Sequence, residues 1–325
     1  MNHEPGRCLA LSGGIGGAKL VLGLSQALGP DRLTVIANTG DDFRHLGLYV
    51  CPDIDTLIYT VAGLSNSSLG WGREDETWSC MDTCRQLGLD TWFRLGDRDL
   101  AVHLYRSERL AQGAGLGAVT AELGARFGLP IAIVPMSDDP VTTTLTTDRG
   151  VLPFQEYFVR QRCAPVAAAI RYEGIERARP ASAFESLLGD PALAAIVICP
   201  SNPLLSVQPI LSLAGIRERL RNAASPVIVV SPIVAGRALK GPTAKLMREL
   251  GLDCDALAIA RLYADIADGI VIDTADADQG AAIEALGVRV LATSVVMHSL
   301  ADKVRLAREA LAFARTLAGT RLSSG

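Results

Sequence analysis

Cys8-Leu9-Ala10-Leu11-Ser12-Gly13-Gly14-Ile15-Gly16-Gly17-Ala18-Lys19 is the stretch that decides the fold. Its four leading apolar residues lack alternation, as a strand buried on both faces does, and the glycines that follow make a tight turn into a helical pattern. A strand, a polar turn and a helix in that order open a parallel, helix-covered sheet. The rhythm recurs outward along the chain, with further strands expected at 33–37, 131–134, 195–198, 227–230, 270–272 and 288–291. The fold class is therefore α/β, a Rossmann-like parallel sheet covered by helices. The interval 142–185 breaks the rhythm. Its threonine run, its Asp148-Arg149-Gly150 turn and the alternating Gln155-Glu156-Tyr157-Phe158-Val159 predict antiparallel strands, hence an inserted smaller α+β subdomain. The first part of the core then covers residues 1–141 and the second part 186–325, ending in a long helix over 300–317.

Composition narrows the function classes. Of 325 residues, 49% are hydrophobic and 20% charged, which excludes disorder, and no apolar run approaches a membrane span. A balance of 31 basic against 35 acidic residues, net −4, offers no field for nucleic acid or an anionic membrane, so any anion must be bound locally. Seven scattered cysteines without a CxxC, and four histidines, fit reduced thiols better than a disulfide framework or a zinc cluster. No signal-peptide pattern precedes the first strand, and the expected location is cytoplasmic.

The polar strand ends carry the chemistry. In open parallel sheets, ligands sit in the crevice beyond the carboxyl ends of the strands. The loop Gly13, Gly14, Gly16, Gly17, Lys19 matches neither GxxxxGK[ST] nor a full GxGxxG, yet its backbone N–H groups converge at a helix start and suit a phosphate or diphosphate. Packing alone is the alternative reading of such glycines. The second strand runs into Asn38-Thr39-Gly40-Asp41-Asp42, and Pro52-Asp53-Ile54-Asp55 follows. Each Asp could be a helix cap, but four so close together are suited to Mg²⁺, a hard cation that combines one or two carboxylates with phosphate oxygens. Further candidates are Arg98 as an oxyanion fork, Trp71 in a turn near Trp78 as a ring platform, Ser137 and Asp138 after the third strand, Ser201 and Asn202 after the fourth, and Ser231 and Lys240 after the fifth. His103 and Arg106 lie further along the helix that Asp97 opens, with His103 either structural or lining the site.

Together the segments LGDRDLA (95–101), PMSDDPV (135–141), PSNP (200–203) and KGP (240–242), with the glycine loop, resemble the 2-phospho-L-lactate transferase (CofD) family of coenzyme F420 biosynthesis. The resemblance runs over nearly the whole chain. It implies that the ribityl hydroxyl of the deazaflavin Fo attacks the phosphorus of a guanosine-diphosphate-activated three-carbon acid and that GMP leaves. The acid would be phospholactate or phosphoenolpyruvate, with phosphoglycerate a further option. By motif, Asp41, Asp42, Asp53 and Asp55 would lie by the metal and Fo, and Arg98 would contact Fo. The expected metal ligands are Asp41 and Asp42. The expected catalytic pair is Asp42, holding Mg²⁺, and Asp55, orienting the hydroxyl, or the two exchanged. The rival from a different class is a non-catalytic regulator that binds a nucleotide sugar. An NAD-dependent oxidoreductase is disfavoured by the broken GxGxxG. A homodimer is open.

Overall fold

In the computed structural model, which describes residues 6–66, 71–238 and 241–323, the runs predicted as strands form one parallel sheet. In chain order these are β1 (Arg7–Ser12), β2 (Leu33–Ala37), β3 (Ala132–Pro135), β4 (Leu193–Ile198), β5 (Val227–Val230), β6 (Gly269–Ile272) and β7 (Arg289–Ala292). Their spatial order is β7-β6-β5-β4-β1-β2-β3, with every neighbouring pair parallel. The chain thus starts at the middle, winds outward one way, and returns to wind outward the other. The reversal falls between β1 and β4, where connections leave on opposite sides and a crevice opens.

Both faces of the sheet are covered, which is why its strands read as unbroken apolar runs. Cys8, Ala10, Val35, Val197 and Val230 face a layer built by α1 (Gly14–Leu28), α2 (Pro52–Val61), α4 (Leu116–Arg126) and α5 (Leu300–Ser323), while α3 (Asp97–Ala111) sends Val102 into it. Leu9, Leu11, Ile36, Ile196 and Val229 face the other layer, where Phe184, Ile210, Leu220, Met247, Ile259 and Tyr263 are buried.

Among the described residues three smaller sheets sit outside this core, one of them the short antiparallel ladder of Ile233–Val234 with Arg237–Ala238. Phe43–His45 and Leu48–Val50 form a hairpin directly after the β2 loop. Between β3 and β4, Thr142–Thr147 pairs on one side with Gly150–Pro153 and on the other with Ala167–Glu173, an antiparallel sheet of three strands. One expectation within this segment is corrected. Glu156–Arg160 is a π-helical turn and not a strand, because Tyr157 is buried beside Leu145, Leu205 and Leu246 while Phe158 stacks outside on Phe154, 5.4 Å away. Alternation there reflects one buried ring beside one half-exposed ring.

At Gly23, in the middle of α1, an added methyl would overlap the carbonyl of Lys303 on α5. Gly23→Ala therefore trades a gain in helix propensity of about 1 kcal/mol against overpacking. We expect Gly23→Val, with a smaller propensity gain and a larger side chain, to lower the unfolding free energy by about 1–3 kcal/mol in denaturant titration. An unchanged midpoint would mean that the two helices do not meet at this residue.

Candidate active site

Because the strands are parallel, the ends of β1, β2 and β4 deliver their loops to one edge of the sheet. Asn38, immediately past β2 and fully buried, is the hub. Its Nδ2 donates to Asp41 Oδ1 (3.2 Å), Asp53 Oδ2 (3.0 Å) and the Leu205 carbonyl (3.3 Å), and its Oδ1 accepts from the Gly40 N–H (2.9 Å). Asp53 in the first turn of α2 accepts from the Gly14 N–H at 2.5 Å, so a carboxylate occupies the N-terminus of α1, where unpaired amides favour anions. The Gly13 N–H is also taken, by Ser201 Oγ at 3.1 Å. Two of the amides expected to cradle phosphate thus knit three loops together. Gly14 needs its freedom, with φ +64°. Gly13, Gly16 and Gly17 are there for close approach, since a methyl would strike Asp53, the Pro200 carbonyl, and the hydroxyls of Ser12 and Ser201 respectively.

Burial governs the acids. Asp41, Asp42 and Asp53 are 5–7% exposed, and burial raises all three above the ordinary carboxylate range. Asp53 is held at about 6, because hydrogen bonds from Asn38, Gly14 and Ser206 oppose the cost of burial. Asp41 is pushed up by burial and then by the charges of Asp53 and Asp42, against hydrogen bonds that include one from Gln155. Among the described residues neither oxygen of Asp42 has a sound hydrogen-bond partner, although the Cys51 thiol and the Arg106 charge temper its rise. Two orphaned, buried carboxylate oxygens fit a bound cation or a ligand hydroxyl, since either would relieve the desolvation.

Asp55 stands differently. Its carboxylate is paired bidentately with the guanidinium of Arg106, the largest fully buried side chain, with Nη1 on Oδ2 at 3.1 Å and Nη2 on Oδ1. His103 Nδ1 lies 3.1 Å from Arg106 Nη1, His103 Nε2 lies 3.3 Å from Asp99 Oδ1, and Tyr59 donates to Asp99 at 2.6 Å. Asp55, Asp99 and His103 are close enough to share a metal, the one such group among the described residues. Arg106 already supplies the positive charge there, so the donor set is better suited to an ion-pair network. Arg106 Nη1 also reaches the Tyr49 carbonyl (3.4 Å), which ties the network to the hairpin.

A cleft of about 180 Å³ opens at the acids, lined by Asp41, Asp42, Phe43, Trp92, Phe154 and Gln155 among others. Its apolar wall is aromatic. Phe43 and Trp92 lie 5.9 Å apart, with Phe93 and His45 behind them. A larger open groove of about 530 Å³, at Leu188, Gly215, Glu218 and Asn222, includes none of the acids, and size alone does not mark it as the site.

The other candidates are dispersed. Lys19 donates to the Met297 carbonyl at 3.0 Å. Ser137 bonds the Arg179 carbonyl, Asp138 accepts from the Gly117 N–H at the start of α4, Asn202 caps the turn at Pro203–Val207, and Ser231 closes its own turn at Ile233. Arg98 is exposed beside Asp75 and the Glu74 carbonyl, and Trp71, 43% exposed, packs edge-on to Trp78. Lys240 lies outside the described residues. Sequence reasoning missed Phe43, Trp92 and Gln155 as cleft residues. Gln155 and Phe154 stood in a recognised segment, but nothing in the spacing of 154–160 pointed to the β2 loop.

Comparisons with known proteins identify the family. Residues 8–298 match the family model described as 2-phospho-L-lactate transferase CofD. A phosphoenolpyruvate transferase from Kitasatospora aureofaciens is 42% identical over 95% of this chain and 98% of its own. A 2-phospho-L-lactate transferase from Methanosarcina mazei is 34% identical over 92% and 97%. Among solved structures, protein BH3568 from Bacillus halodurans shares the fold, with a TM-score of 0.61 over 94% of this chain and 99% of its own, at 15% identity. With a match that spans the sheet, the acid loops and the segment 142–185, the chain belongs to the CofD family of transferases.

Proposed function

We propose that this protein acts in coenzyme F420 biosynthesis, transferring a phosphoenolpyruvate moiety from a guanosine-diphosphate-activated donor to the ribityl hydroxyl of Fo, with release of GMP. The observation that carries the reading is the pairing of an aromatic-walled cleft with buried, raised-pKa acids at the switch point of the sheet. The choice of enolpyruvate over lactate follows the relatives at 40–42% identity, which are named phosphoenolpyruvate transferases, against 34–36% for those named 2-phospho-L-lactate transferases. Phe43, Trp92 and Phe154 suit a flat deazaflavin ring.

In the proposed step, the ribityl oxygen forms a bond to the donor phosphorus, the bond from that phosphorus to the GMP oxygen breaks, and the hydroxyl proton passes to a carboxylate. Asp41 is the better acceptor for that proton. It is buried, with its proton affinity raised by burial and by the neighbouring acids, while Asp55 is paired with Arg106. The open oxygens of Asp42 would hold Mg²⁺, which when bound offsets charge on the phosphate oxygens. Asn38 fixes Asp41 relative to Asp53, and Asp53 fixes both to the glycine loop. Positioning and electrostatics then supply the rate enhancement.

Incubating the protein with Fo, Mg²⁺ and either donor, followed by mass spectrometry, tests the reading. The enolpyruvyl adduct should dominate, two hydrogens lighter than the lactyl one, and no adduct with either donor would refute the assignment. Asp41→Asn should lower kcat by about 100-fold or more with the fold intact. Asp55→Asn, by contrast, leaves a buried guanidinium unpaired and should cost about 3–5 kcal/mol of stability in denaturant titration. Equal loss of turnover without loss of stability in both variants would return Asp55 to the chemistry. A raised carboxylate pKa adds stability at low pH that is lost as pH rises through the folded value, about 6 for Asp53. The gain in Tm on adding Mg²⁺ should therefore be larger at pH 8 than at pH 5, because a cation must displace protons from these acids. An equal gain at both would place the cation elsewhere.

A further inference from the structure

Asp41 is held at both oxygens, by amides from two distant parts of the chain. Asn38, at the end of β2, donates to Oδ1, and Gln155 donates through Nε2 to Oδ2 at 3.2 Å. One donor would leave the carboxylate free to turn about its last bond, whereas two on opposite oxygens fix its plane. Gln155 is itself 6% exposed, at the point where the strand Gly150–Pro153 passes into the π-helical turn Glu156–Arg160. Short π-helical turns recur at functional sites.

The segment that carries Gln155 is anchored on both sides. Lys245 Nζ donates to the Tyr157 hydroxyl (3.1 Å), and Arg160 pairs with Asp90 (2.9 Å) while lying over the Trp92 ring. Further back, the Thr143 N–H donates to the Gly40 carbonyl at 2.5 Å, which docks the antiparallel sheet on the acid loop. Trp92, Phe154, Gln155, Asp41 and Asp42 line the same cleft. A glutamine is chemically suited to this place. Its amide orients a carboxylate through one directed N–H, without the full positive charge that a lysine or arginine would bring.

From this arrangement we propose that Gln155 is a positioning residue. Its amide holds the Asp41 carboxylate in the orientation that meets the acceptor hydroxyl, and the antiparallel sheet that delivers it is part of the catalytic apparatus. The inference rests on the role given to Asp41 above. Gln155→Met keeps the side-chain length and removes the donor. It should lower kcat roughly 10- to 100-fold, as expected for loss of a hydrogen bond to a charged group, while GDP affinity by calorimetry stays within about twofold. In an Asp41→Asn background the same substitution should have no further effect, whereas a merely structural role would cost as much in either background. Gln155→Glu, equal in size but bringing a like charge against Asp41, is the second variant should the methionine protein not fold, and it should show the same split between kcat and GDP affinity. Unchanged kcat, a parallel loss of GDP affinity, or equal losses in the two backgrounds would overturn the inference. Transfer by the unsubstituted chain is measured alongside. Its absence overturns the proposed function and this inference with it, while full transfer by Gln155→Met overturns the inference alone.

Discussion

The hydrogen bond from the Gly14 N–H to Asp53 is the contact on which the site depends. It places the first turn of α2 against the N-terminus of α1, and so joins the connection after β1 to the connection after β2. Asn38 then extends the joint to Asp41 and, through the Leu205 carbonyl, to the loop after β4. These loops come from the three strands that meet at the reversal of strand order. A doubly wound sheet leaves a crevice there whatever its sequence. In this chain the crevice is floored by a carboxylate in the place where related folds hold a phosphate, and the glycines are small so that side chains of neighbouring loops can enter.

The sheet was legible because strands buried on both faces carry their signal in unbroken Val, Ile and Leu runs, and every predicted run sits within a residue or two of its strand. The segment 156–160 was not legible as a turn, because the alternation that marks a half-buried strand also arises when one ring is buried and the next packs outside. The acids were legible as a group, since four carboxylates in fifteen residues exceed what helix capping requires. Their division was hidden. Nothing in the spacing of Asp53 and Asp55 shows that one turns toward Gly14 and the other toward Arg106 on α3, more than fifty residues away. Ser137 and Asp138 bond the backbone of segments far away in sequence, at Arg179 and Gly117, which spacing does not show, while Asn202 caps the turn that follows it.

The buried ion pair of Asp55 and Arg106 looks costly for a protein that could have used apolar residues there. Its geometry suggests what it supplies in return. Arg106 touches Asp55 on α2, His103 on its own helix and the Tyr49 carbonyl of the hairpin, and its charge reaches Asp42. An apolar replacement could fill the volume but could not set the angle between hairpin and helix, nor temper the rise in Asp42's proton affinity. The network therefore trades stability for placement of Asp42, the last residue of the loop after β2, and Phe43, the first residue of the hairpin.

The charge of the whole site poses a similar balance. Three buried carboxylates with raised pKa values repel one another, and a diphosphate brought to them would be repelled as well. The N–H groups of Gly13 and Gly14, the usual remedy for phosphate charge, are already engaged by Ser201 and Asp53. On the proposed reading, a cation held by Asp42 would ease both difficulties, because it would offset negative charge at the acids and on the donor alike. The acids would then be unfavourable to folding taken alone and favourable only with the donor side in place, which couples the affinity for donor to the affinity for cation. A site built this way would take an anionic donor through an acidic floor, and a mildly acidic chain could then serve phosphate chemistry with its anion bound locally.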